Sequence, residues 1–90
     1  MDEYRYTFGI RYESEEHPVA KWVSPKGWLT VMAPDRETAD RLARAVVGQD
    51  YAFGYSRAEW SGPTKSGRTW AEMYPLGCLA RVALEITEEL

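Results

Sequence analysis

Residues 28–55, WLTVMAPDRETADRLARAVVGQDYAFGY, read as strand, helix and strand, and this reading decides the fold. Residues 28–33 form a short run that is apolar on both faces, as a central strand requires. Pro34 and Asp35 then open a helix. Asp35 can accept hydrogen bonds from the first free amides, and Glu37 lies toward the positive end of the helix dipole. Ala39, Leu42, Ala43, Val46 and Val47 recur at helical spacing and form the stripe to be buried. Arg36, Asp40, Arg41 and Arg44 fall largely on the other faces, where Glu37 and Asp40 can pair with Arg41 and Arg44. Gly48 supplies the left-handed residue that ends the helix. Tyr51, Phe53 and Tyr55 alternate with Ala52, Gly54 and Ser56 as the following strand.

Upstream, Tyr4, Tyr6, Phe8, Ile10 and Tyr12 alternate with Arg5, Thr7, Gly9, Arg11 and Glu13, the period of a half-buried strand. Residues 14–27 hold two prolines and a glycine and read as a long connection. Downstream, residues 57–77 carry Gly62, Pro63, Gly67, Pro75 and Gly77 and form a second long loop, with room for one helical turn at most in 70–75. A last strand places Cys78, Ala80, Val82, Leu84 and Ile86 on one face and Leu79, Arg81, Ala83 and Glu85 on the other. The order is ββαββ, an α+β fold with one helix, about 35–47, on one face of a four-stranded mixed or antiparallel sheet, all in a single domain spanning 1–90. Short links around the helix favour a right-handed parallel crossover between the second and third strands, the other pairings being antiparallel.

Ninety residues bury only about 60 to 65% of the unfolded chain's surface, so the margin of stability is thin. One helix of about 10 Å diameter covers four strands only in part. The chain has four tryptophans, of which Trp22, Trp60 and Trp70 lie in the two loops. The expected lid over the rest of the core is those loops, or a second copy of the sheet in a homodimer. The other sheet face, bearing Arg5, Thr7, Arg11, Arg81 and Glu85, is expected to be solvated.

A net charge of −3 argues against binding by phosphate neutralisation. Its distribution is uneven. Residues 17–27 and 57–70 hold Lys21, Lys26, Arg57, Lys65 and Arg68 against Glu59, a balance of +4 that leaves −7 elsewhere. Trp22, Lys26, Trp60, Lys65, Arg68 and Trp70 therefore form the candidate partner-binding surface, aromatic anchors flanked by cations. The same loops could stack the bases of a single-stranded nucleic acid, the alternative reading. The sheet's own rings offer less to RNA, because the aromatic strand face is also the apolar face that belongs under the helix.

Enzymatic chemistry finds little support. Residues 62–69, Gly-Pro-Thr-Lys-Ser-Gly-Arg-Thr, keep the spacing of a phosphate-binding loop but place Arg68 where lysine belongs, with no helix of useful length to follow. Glu15, Glu16 and His17 are adjacent and so poorly placed to converge on a metal or a proton. Ser61, Ser66 and Thr69 have no identifiable base. One histidine and the single Cys78 cannot make a zinc site or an internal disulfide, and Cys78 reads as a small core residue. No cofactor is expected. No stretch approaches the ~20 apolar residues of a membrane span, and the N-terminus lacks a secretory pattern, so a cytoplasmic location is expected.

His17-Pro18, Gly27-Trp28, Ala33-Pro34-Asp35 leading into Thr38-Ala39, Ala52-Phe53-Gly54-Tyr55 and Tyr74-Pro75-Leu76-Gly77 resemble short phrases of small uncharacterised proteins encoded by phages of actinobacteria. The resemblance spans most of the chain and brings no catalytic residue with it. It implies a viral accessory protein in the host cytoplasm that binds a host or phage macromolecule.

Overall fold

A computed structural model describes residues 1–9, 20–49, 51, 53–62 and 67–83. It contains β1 (Asp2–Thr7), β2 (Gly27–Ala33), α1 (Arg36–Val47), β3 (Phe53–Tyr55), α2 (Arg57–Ser61), α3 (Trp70–Met73) and β4 (Gly77–Ala83). One four-stranded mixed sheet in the order β3-β1-β2-β4 makes this an α+β fold. The first strand and the last are described only to Thr7 and Ala83, so the alternation expected at 10–13 and 84–86 lies outside the described residues.

Side-chain parity explains the first layer. Tyr4, Tyr6 and Phe8 of the β1 segment and Leu29, Val31 and Ala33 of β2 point to one face, where Ala39, Ala43 and Val47 of α1 meet them. Leu42 and Val46 flank that contact, completing the stripe read from the sequence. The described part of the 14–27 connection, from Ala20 on, also contributes as expected, through buried Ala20 and Val23. Asp35 Oδ1 accepts the Thr38 amide at 2.7 Å, and Gly48 closes α1 at φ 67°. Glu37 pairs with Arg41 at 3.8 Å. Asp40 does not pair with Arg44: it accepts the buried Tyr6 hydroxyl at 2.5 Å and Arg36 Nε at 3.3 Å. A phenol that must be buried needs an acceptor, and Asp40 is the one within reach across the sheet–helix contact.

The crossover has an insertion. β2 and β3 both run antiparallel to β1, which lies between them, so they are parallel to one another across it. The remaining pairing corrects the expectation, because β4 is parallel to β2 rather than antiparallel. Parallel β3 and β4, at opposite edges, require the chain to return across a face of the sheet before β4 can begin. One face is already taken by α1. The described parts of the return, 57–62 and 67–76, lie on the other, and what reads as a loop in sequence holds two short helices there.

That face is consequently covered over Arg5 and Thr7 rather than solvated, a second correction, while Arg81 at the β4 edge is exposed as expected and Arg11 and Glu85 lie outside the described residues. Trp60 lies in α2 and Trp70 opens α3, so neither sits in irregular chain. A third correction concerns β4, whose pairing slips between Trp28↔Cys78 and Leu29↔Ala80. This bulge puts Cys78 on the outer face beside Thr30, its Sγ 3.1 Å from the threonine hydroxyl, while Leu79 joins Ala80 and Val82 against the core. Cys78 is thus exposed instead of a core residue.

Candidate partner-binding site

Outer-face parity brings Arg5 and Thr7 of β1, Trp28 and Thr30 of β2, and Phe53 and Tyr55 of β3 to one surface. The strands hold these positions rigidly, and α2 and α3 lay Trp60 and Trp70 over them. Ser56 caps α2 and Thr69 caps α3, each side chain accepting an amide three residues on, from Glu59 and Glu72. Glu59 reciprocates by accepting the Ser56 amide at 3.0 Å and also takes Arg36 Nη1 at 2.9 Å. The Ser56 amide first, and Arg36 after it, hold the Glu59 carboxyl below its ordinary pKa. Arg36 also donates to the Gly54 carbonyl at 2.8 Å, so one guanidinium ties α1 to both β3 and α2.

The rings form a connected cluster. Trp70 sits at its centre, edge-on to Trp28 at 5.5 Å, Tyr55 at 5.4 Å and Trp60 at 6.5 Å, and tilted against Tyr74 at 4.9 Å. Edge-to-face contacts set the positive rim of one ring against the negative face of the next. The Arg5 guanidinium carbon lies 3.6 Å from the Trp60 ring centre, 4.3 Å from Trp28 and 5.1 Å from Trp70. Trp28 Nε1 donates to Thr30 at 3.0 Å, and Trp60 Nε1 lies 3.4 Å from the Glu3 carbonyl. Burial raises the Tyr74 pKa and lowers that of Arg5, the latter against the pull of Glu3.

Two grooves border this cluster. One, about 330 Å³, is lined among the described residues by Trp60, Ser61, Gly62, Gly67, Arg68, Thr69 and Trp70. The other, about 470 Å³, is lined by Phe8, Pro25, Lys26, Arg68, Glu72, Met73, Tyr74 and Pro75. Arg68 belongs to both. The connection holding Lys26 is fastened to the segment after α3 by the Leu76 amide, which donates to the Lys26 carbonyl at 2.9 Å.

Of the residues singled out in the sequence, Lys26 and Arg68 share one groove, while Trp60, Arg68 and Trp70 share the other. Trp22 lies apart from the cluster, edge-on to Phe8 at 6.1 Å and 37% exposed. Lys65 falls outside the described residues, as do Glu15, Glu16 and His17. Among the described residues no three of His, Cys, Asp and Glu gather as metal ligands. Sequence reasoning placed Tyr74 with the loop tryptophans but missed Arg5, Trp28 and Tyr55. The available signal was β2 itself, whose Trp28 and Met32 face away from Leu29 and Val31, so a strand apolar on both sides already called for cover on both. No helix of the described residues is long and apolar enough to cross a membrane. Comparison of the chain with protein-family models, curated proteins and solved structures gives no significant match.

Proposed function

We propose that the chain is a non-enzymatic protein-binding module whose two grooves accept an extended segment of a partner, with carboxylates set beside apolar side chains. The supporting observation is that Arg68 lies in both grooves while Lys26, from a distant connection, faces the larger one. Among the described lining residues Lys26 and Arg68 stand beside one acid, Glu72, in a chain of net charge −3. Phe8, Met73 and Tyr74 supply apolar floor on one side, and Trp60 and Trp70 on the other. Apolar anchors in a groove carry affinity, and complementary charge at the rim selects the partner and speeds encounter. Action is steric, by covering a surface of the partner. A phage accessory protein working in a host cytoplasm fits this mode.

The test uses fluorescence anisotropy with a labelled peptide alternating Asp and Leu, its Lys-for-Asp counterpart and an oligothymidylate. The acidic peptide is expected to bind, and the double charge reversal Lys26→Glu, Arg68→Glu to weaken it by about tenfold or more without lowering the melting temperature. Preference for the oligonucleotide, with affinity falling steeply as salt rises, would replace the proposal by single-stranded nucleic-acid binding.

A further inference from the structure

Arg5 is an unusual resident of an aromatic cluster. Its side chain is 16% exposed, and its Nε is buried without a hydrogen-bond partner, 3.4 Å from Glu3 Oε2. A guanidinium normally spends its nitrogens on hydrogen bonds. Here the indoles of Trp28, Trp60 and Trp70 lie about the guanidinium carbon, the farthest ring centre at 5.1 Å, with the Glu3 carboxylate 3.4 Å from Nε and a second guanidinium, that of Arg57, 5.6 Å from the Trp60 ring centre. Rings about a cation within about 6 Å, completed by an acid, are the arrangement that recognises quaternary ammonium groups, which cannot donate hydrogen bonds at all. The walls come from β1, β2, α2 and α3, so they assemble only in the folded chain.

We infer that Trp28, Trp60, Trp70 and Glu3 form a binding cage for quaternary ammonium cations, which the chain keeps filled with its own Arg5. The cage works by ring faces and one negative charge, so a trimethylammonium group satisfies it as a guanidinium does. Arg5 is held by β1 within the sheet and competes as an intramolecular cation, at an effective concentration set by the fold. The wild-type chain therefore excludes such ligands from its outer face. Truncating Arg5 leaves a vacancy of matching charge preference, shaped by the same rings. The cage shares Trp60 and Trp70 with the smaller groove but uses neither Lys26 nor Arg68, so this inference does not depend on the peptide-binding reading.

The experiment compares wild type with Arg5→Ala, titrating each with choline and with its uncharged isostere 3,3-dimethylbutan-1-ol. Tryptophan fluorescence and the choline methyl proton shift report binding. Arg5→Ala is expected to bind choline saturably, with the methyl signal moved upfield by the indoles, about tenfold more tightly than wild type binds it and than the variant binds the alcohol. A folded Arg5→Ala that treats the two ligands alike overturns the inference, as does a wild type that binds choline equally well. Should the variant not fold, the intact chain decides. An Arg5 Hε resonance displaced upfield by ring currents supports the cage, and one at the ordinary arginine position refutes it.

Discussion

At the scale of single residues, the tightest packing constraint lies at the start of β2. A Cβ added at Gly27 would sit 2.5 Å from Leu79 Cγ and 2.8 Å from the Gly77 carbonyl. The leucine could turn aside, but the carbonyl belongs to the parallel partner strand and moves only if β4 moves. Gly27→Ala is expected to cost about 2 kcal/mol or more, measured by urea unfolding. The tryptophans separate by the same logic. Trp60 holds the Arg5 guanidinium and caps a carbonyl, so Trp60→Ala should cost about 2 to 3 kcal/mol, whereas Trp22→Ala, on a ring 37% exposed, should cost under about 1 kcal/mol. Equal losses in thermal denaturation would contradict the placement of Trp60 on the sheet. The sequence could not rank these two rings, because each is a tryptophan within three residues of a basic side chain, Lys21 or Arg57, in a segment rich in breakers.

Elements were legible where their causes are local. Asp35 and Gly48 bound α1 because a cap needs only a side chain or a left-handed residue within a few positions, and both were readable from 28–55. The short helices were not, since four or five residues are below the length at which periodicity can speak, and their hold comes from Ser56 and Thr69 caps plus the sheet beneath. These caps make stability depend on pH. Asp35 and Glu59 have folded pKa values below their ordinary 3.8 and 4.5, through the Thr38 and Ser56 amides first. Their contribution is present above the unfolded values and is lost as pH falls through the folded ones. Tyr4, Tyr6 and Tyr74 have pKa values raised above 10.0, chiefly by burial. A raised folded pKa means that the neutral phenol is favoured by folding, so this contribution is present below about pH 10 and fades above it. Urea midpoints should therefore be level between about pH 6 and pH 9 and decline on both sides, with Glu59→Gln flattening part of the acid limb.

For the whole molecule, the decisive fact is that β3 and β4 run in the same direction at opposite edges of the sheet. A chain that must return across the sheet covers the face it crosses, and this one does so with α2, α3 and their tryptophans. The result is two packed faces built from very different material. One is aliphatic and tyrosine-rich beneath α1. The other is indole-rich around the Arg5 guanidinium, with Arg57 also against Trp60 and grooves at its border that draw on segments from both ends of the chain. Charge reversal at Lys26 and Arg68 should leave both layers standing, because these side chains border the cluster without forming it.

The sequence by itself determined the parities of the first two strands, the buried stripe of α1, its caps, the ββαββ order of the main elements and the uneven charge of the two long connections. All of these follow from interactions over a few residues or from counting. Only the tertiary structure decided that β4 is parallel to β2, that a bulge turns Cys78 outward and Leu79 inward, and that Trp28, Trp60 and Trp70 close around Arg5. Those outcomes depend on which strands hydrogen-bond across some fifty residues of chain. A strand's alternation says which side chains share a face, but its direction is set by the partner it finds.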